Sequence, residues 1–460
     1  MKKTFKKMTA LAVAFAAMTF AAVAQDSGAL VEALVKKGIL SDQEAEEIRA
    51  DLTKEFGQTP AGKLNLNSAV TQLKLYGDTR VRYTTESSRT KNGHELSTQN
   101  REQLRYRVRL GAEYSFVDNF KAGVAFTTGT ANDSGNSTFG NGTDGAFGKS
   151  SANDAIVVDL AYLQYDPVMF DSSVKTSLFV GRHKKTFELD WINFDGDINV
   201  EGAGEKVSWE LNKNFNFGYN GGQYLYEDTT NQGTNNTNTT RHDTWLLVNQ
   251  VVAEYKVNKD LSFKVSPMMM DMVNQTSPDS GATGASTTIA GYGSILFVPL
   301  EAKFKLWNTQ FRPYYIYSHN FESEEALLAA QSLRRDNVTV DRNNADQSDS
   351  HTFGFEAGEL KKKKDWQVGL YYIHREAFAS NNDLVDSDWA LQRSNMKGYA
   401  VKAGYMLTDN VSLNAAYLTG DTLQDHIFPN NVVGGAASNT NQIADRSRVE
   451  VFQLDVNWKF

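Results

Sequence analysis

Residues 452–460 read Phe452-Gln453-Leu454-Asp455-Val456-Asn457-Trp458-Lys459-Phe460. Apolar and polar side chains alternate without a break. Phe452, Leu454, Val456, Trp458 and Phe460 share one face; Gln453, Asp455, Asn457 and Lys459 share the other. A period of two is the mark of a β-strand with one apolar and one polar face. Such a strand at the edge of an open sheet invites pairing with another chain. The edge disappears if this strand pairs with the first one and the sheet closes on itself.

The same pattern fills the chain from Ser68 onward. In Val70–Tyr83, Leu73, Leu75, Gly77, Thr79, Val81 and Tyr83 alternate with Lys74, Tyr76, Asp78, Arg80 and Arg82. In Leu104–Phe116 the apolar positions are 104, 106, 108, 110, 112, 114 and 116, and Arg105, Arg107, Arg109 and Glu113 lie opposite. At about 3.3 Å per residue and a tilt of about 45°, this second run crosses an apolar band of about 25 Å. In Ala155–Tyr165 apolar residues occupy both faces, and Asp159 assigns the odd positions to the interior.

Short polar turns alternate with long polar connections. The turns are 117–119, 166–173, 212–214, 258–260, 307–309, 361–365 and 408–410, most of them rich in Asp and Asn, which bond their own backbone. The long connections lie near 84–100, 129–153, 183–198, 227–243, 274–290, 322–350, 376–396 and 420–446. Seven turns and eight loops imply about 16 strands, and short turns at one end with long loops at the other is the asymmetry of a transmembrane barrel. The expected fold is therefore all-β: an antiparallel up-and-down β-barrel over 68–460. A propeller would repeat a blade of about 40–50 residues, and no such repeat is present.

The N-terminus carries a different signal. Lys2, Lys3, Lys6 and Lys7 precede an apolar run from Ala10 to Ala24, interrupted only by Thr19, and Ala22-Val23-Ala24 fits a cleavage site. Residues 1–24 are read as a secretory signal peptide and 25–67 as a short helical segment with a linker. Ala29, Leu30, Ala33 and Leu34 recur at helical spacing, and Ser41-Asp42-Gln43-Glu44 fits a capping box. Even strand parity places both chain ends on the periplasmic side.

Composition narrows the function. Removing the signal's four lysines and no acid takes the formal charge from −8 to −12, which argues against nucleic acid as partner. With no cysteine, thiolate metal sites and cysteine nucleophiles are excluded. A mean hydropathy of −0.46 fits a barrel whose strands face lipid on one side and water on the other. The seven histidines form no metalloprotease or hydrolase motif, and Ser318 and His319 point to opposite faces, so no enzyme is expected. About 16 strands leave an aqueous channel, which disfavours a merely structural or adhesive barrel.

Two constellations bear on a channel. Arg80, Arg82, Arg105, Arg107 and Arg109 fall on the polar faces of two adjacent strands. They either set ion selectivity or pair with acids such as Glu113 and Asp78 to stiffen the wall; both readings stay open. The stretch Gly181-Arg182, Phe187–Trp191, Phe194–Asn199 and Glu201-Gly202 is acidic and aromatic and lacks the Asn/Thr tract of a solvated loop. Its aspartates are hard ligands of the kind calcium takes, but the spacing matches no EF-hand; no metal or cofactor is expected.

This stretch resembles the "putative porin" family of exported bacterial barrels, in which a Gly-Arg strand end precedes a Trp/Asp-rich stretch and an Asn-x-Glu-Gly strand start. With the N-terminal helical pair and the aromatic end, the resemblance spans most of the mature chain. It implies an outer-membrane porin passing small hydrophilic solutes and ions by passive diffusion, or else a substrate- or anion-selective channel. It also implies a homotrimer in outer-membrane lipid. By the same resemblance, the 183–198 loop folds inward and sets Glu188, Asp190, Asp195 and Asp197 against the arginines as a constriction. Phe452, Leu454, Val456, Trp458 and Phe460 would then form the signal read by the barrel-assembly machinery.

Overall fold

The computed structural model describes residues 35–37, 40–48, 69–92, 95–129, 135–140, 155–168, 173–228, 243–273, 293–326, 346–424 and 447–460. The expected signal peptide and most of the 25–67 segment lie outside these residues. The chain divides into two compact units, Met1–Ser68 and Ala69–Phe460. In the first, residues 42–48 are helical. The Ser41 backbone N–H donates to Glu44 Oε2 at 2.9 Å and the Glu44 N–H to Ser41 Oγ at 3.3 Å, a reciprocal cap that satisfies two helix-end donors.

The second unit is a closed antiparallel barrel of 16 strands. In chain order they are β1 Val70–Asn92, β2 Glu95–Phe116, β3 Phe120–Thr128, β4 Ile156–Tyr165, β5 Val174–Lys184, β6 Asn199–Asn212, β7 Phe215–Glu227 and β8 Thr244–Asn258. There follow β9, in two segments Leu261–Val265 and Met268–Val273, then β10 Ser294–Leu306, β11 Thr309–Asn320, β12 Asp349–Gly358 and β13 Trp366–Arg375. The last are β14 Met396–Met406, β15 Val411–Thr422 and β16 Ser447–Lys459. Each pairs with its sequence neighbour, and β16 pairs with β1 from Asp78↔Lys459 to Thr90↔Ser447, which closes the sheet. At the seam Gly77 and Phe460 exchange both backbone hydrogen bonds at 3.1 Å.

Alternation sorts the side chains. Phe452, Leu454, Val456 and Trp458 are 39–46% exposed on the outer face, whereas Gln453 and Asp455 are 5% and 8% exposed towards the lumen. No helix of the described residues is long and apolar enough to cross a membrane; the apolar outer belt belongs to the strands.

Three expectations are corrected. The stretch 84–100 is not a loop: β1 runs to Asn92 and β2 begins at Glu95, in register throughout, with Arg101 paired to Glu86 at 2.7 Å. Thr84, Thr85, Thr90 and Thr98 are β-branched strand formers, so the loss of apolar alternation reflects a polar hairpin and not the end of the strand. In β4, Ala125↔Leu160 is followed by Phe126↔Val158, leaving Asp159 as a bulge. One extra residue flips the parity: Ile156 and Val158 face out before it, Leu163 and Tyr165 after it. Odd positions therefore face inward only through Asp159. Finally, the 376–396 connection is no solvated outer loop. Ala377, Phe378, Ala379, Leu384, Val385, Trp389 and Ala390 are all buried.

That connection and the one before β6 fill part of the lumen. Phe187, Ile192, Phe194, Leu384 and Trp389 form one apolar cluster with inward residues of the wall, among them Val248, Met268, Ile316 and Ile373. Each large side chain so buried is worth roughly 1.5–3 kcal/mol, enough to hold two loops against the wall.

Candidate functional site: a narrowed lumen

The five arginines share the inner face of β1 and β2, where Arg80 lies opposite Arg107 and Arg82 opposite Arg105. Like charges directly opposed across a ladder are destabilising, and acids are interleaved with them. Arg82 makes a bidentate pair with Asp455, Nε to Oδ1 at 2.8 Å and Nη2 to Oδ2 at 3.0 Å, while its Nη1 reaches Asp388 at 3.0 Å. Asp78 accepts from Arg109 Nε at 2.7 Å and from Arg107 Nη2 at 3.2 Å. Arg80 donates to Asn136 at 2.7 Å, and Arg105 to Gln103. Glu113 accepts instead from Tyr162, at 3.0 Å.

The first inward connection, residues 185–198, leaves β5 and returns to β6. Its four acids take different partners. Asp197 meets Arg107 at 3.0 Å and Arg109 at 3.6 Å. Glu188 meets Lys264 of β9 at 2.8 Å, and its backbone is clasped on both sides by the side-chain amide of Gln250. Asp190 accepts from Asn193 Nδ2 at 2.7 Å and from Tyr314 at 3.3 Å, and burial pushes its carboxyl up. Asp195 accepts the backbone N–H of Asp197 at 2.8 Å. Of this set Asp197 touches the arginine wall, by direct contact.

The second inward connection, residues 376–395, lies against the first. The Asp195 N–H donates to the Leu384 carbonyl at 2.8 Å. Asp383 accepts from Tyr226 at 3.1 Å, and the Trp389 indole donates to the Thr419 carbonyl at 3.2 Å. Burial pushes the Asp386 carboxyl up, and neighbouring Asp388 adds to it. Burial acts the same way on Asp388, but Arg82 and Lys402 outweigh it and hold that carboxyl low. Lys402 Nζ also sits 3.0 Å from the centre of the Trp191 ring on the first connection.

A second charged ladder, missed in the sequence, covers the wall from β9 to β13. Glu301 pairs with Lys303 at 3.0 Å, Arg312 at 3.0 Å and Lys264 at 3.3 Å. Arg312 continues to Glu356 at 2.7 Å, and Glu356 accepts from Tyr371 at 2.9 Å. Its sequence signal was the placement of Lys264, Glu301, Arg312 and Glu356 at inward-facing strand positions. Tyr314 lies over Gly354, where any Cβ would overlap its ring, so these tyrosines lie against the wall. Among the described residues no group of His, Cys, Asp and Glu could hold a metal ion.

A family model described as "Putative porin" matches residues 93–290 and 296–460. Among solved structures, the chain is similar to Salmonella typhi OmpF in complex with daunomycin, at 12% identity over 86% of this chain and 99% of that one, TM-score 0.45. It is also similar to a mutant Rh. blastica porin, at 12% identity over 85% of this chain and 100% of that one, TM-score 0.39. Comparison with curated proteins finds no match.

Proposed function

The chain belongs to the "Putative porin" family, and from that premise we propose that it is an outer-membrane channel through which small hydrophilic solutes and ions diffuse passively. The observation that carries this reading is the lumen itself. A 16-stranded wall carries mixed-charge ladders on two sides of its interior, and two inward connections, the first paired to the basic ladder, narrow it. Rows of fixed charge at a constriction select solutes by charge and dipole. In this reading Arg80, Arg82, Arg105, Arg107 and Arg109 line the basic side, and Glu188, Asp190, Asp195 and Asp197 stud the connection that faces or joins them. The family and the fold point to a channel rather than an enzyme.

The proposal extends to export through cleavage after Ala24, insertion by the barrel-assembly machinery reading Phe452–Phe460, and a homotrimer in outer-membrane lipid. The deciding experiment is single-channel recording of purified protein in planar bilayers, with the reversal potential measured under a salt gradient. Discrete ohmic steps with sugar uptake in liposome swelling support the reading. A folded barrel that conducts nothing and admits no sugar would make it a structural or adhesive protein.

A further inference from the structure

Arg375, the last residue of β13, is 0% exposed. Among the described residues it makes no ion pair within 4 Å, and its Nε and Nη1 have no hydrogen-bond partner. A buried cation left without a paired carboxylate is destabilising, and an apolar residue would fill the space without that cost. What Arg375 does have is one contact to each inward connection. Its Nη2 donates to the Ile192 carbonyl of the first at 2.8 Å, and its guanidinium lies 5.1 Å from the centre of the Trp389 ring of the second. The carboxylates that act on it electrostatically are also one from each, Asp190 and Asp386.

The second connection is held in a conformation it would not adopt alone. Ala390, Leu391 and Gln392, directly after Trp389, have φ of 53°, 56° and 61°. Successive left-handed non-glycine residues are strained and persist only where the surroundings enforce them.

We propose that Arg375 is the positioning residue that seats both connections at once, so that the bore of the channel is set by the two as one locked unit. The inference rests on the channel reading and goes beyond it. The Ile192 carbonyl takes an N–H of the guanidinium while the Trp389 ring faces its central carbon; a planar, multi-donor guanidinium can serve both at once, which a lysine ammonium does not reproduce. Loss of the guanidinium unseats both connections, and the lumen widens.

The test compares wild type, Arg375→Lys and Arg375→Met, each checked for a heat-modifiable barrel, by single-channel conductance and by the largest sugar admitted in liposome swelling. Both variants are expected to conduct more than wild type and admit larger sugars. The chain has no native cysteine, so Asp195→Cys with Leu384→Cys, added to Arg375→Met, forms a switchable tie where the two backbones already meet. Oxidation should lower conductance and the sugar cut-off, and reduction should restore the widened values in the same protein. Conductance of both Arg375 variants equal to wild type overturns the inference, as does a widened pore that the oxidised tie leaves unchanged. A wild-type barrel without conductance would instead overturn the channel reading itself. If Arg375→Met yields no barrel, the tie in the Arg375→Lys background decides by the same criterion.

Discussion

Arg107 Nη1 lies 3.0 Å from Asp197 Oδ1, so the acidic connection is fastened to the basic wall and leaves no water-filled gap between the two at that point. Both groups keep some access to the lumen, Asp197 more than Arg107. Asp197→Asn should therefore do two things: remove a negative charge from the passage and loosen its rim. At low salt the reversal potential should move towards anion preference. Replacing Arg105, Arg107 and Arg109 together by Gln should move it towards cations. At 1 M salt, where the Debye length is about 3 Å, both shifts should flatten. An unchanged reversal potential at low salt in both variants would make this network structural only.

The bidentate pair between Arg82 and Asp455 ties the first strand to the last, and both side chains are nearly buried, at 9% and 11% exposure. Asp455→Ala leaves Arg82 with Asp388 alone. Breaking a buried pair by removing one partner costs about 3–5 kcal/mol, and the lower end is expected because Asp388 remains. The loss should appear as a lower urea midpoint for loss of the compact, heat-modifiable form. A midpoint equal to wild type would mean that the backbone ladder alone holds the seam.

How far the fold was legible follows from what the strands ask of the sequence. Strict alternation in residues 104–116 and 452–460 is a local property, and those strands could be read directly. Asp159 could not, because a bulge is defined by a partner strand whose register no single strand reveals. The inward course of 376–395 left a local trace in Phe378, Leu384, Val385 and Trp389, but Asn381, Asn382 and the surrounding aspartates masked it. The arginines were legible as a set, and Asp78 beside them as a partner; Asp388 and Asp455 were not, because their contacts with Arg82 span 306 and 373 residues. The role of Arg375 left no sequence signal, since one arginine at a strand end looks like any other polar terminus.

Deleting Phe460, or replacing it by Asp, should lower outer-membrane levels of the assembled barrel. Its backbone closes the seam with Gly77, and its ring packs on Trp458 with centroids 4.8 Å apart. The measurement is the heat-modifiable fraction in outer-membrane preparations. Wild-type levels after deletion would remove the assembly role from this residue.

Removing Gln25–Pro60 from the mature chain should leave a heat-modifiable barrel with the wild-type unit conductance, because every described strand follows Ser68. A variant that forms no barrel would make the N-terminal segment part of the fold.

Lys185 opens the first inward connection and gives it a pH dependence. Its Nζ donates to the carbonyls of Leu189 at 3.0 Å and Phe194 at 3.4 Å, and it lies 4.7 Å from the centre of the Phe194 ring. Burial pushes its ammonium down from the ordinary 10.5 to about 8. With the connection unseated, the same lysine stands in water and titrates near its ordinary value. Between about 8 and 10.5 the unseated form therefore binds more protons than the seated one. Raising the pH through that window favours the form that binds fewer protons. The penalty for burying the ammonium is fully present below the window and fades across it, so the seated connection gains stability as pH rises. Open-channel noise and excursions to larger conductance should fall over the same range. Lys185→Met removes the titrating group, so it should show the quiet, alkaline behaviour at every pH. If the pH dependence in that window survives Lys185→Met undiminished, another group carries it and the seating of this connection is not linked to Lys185.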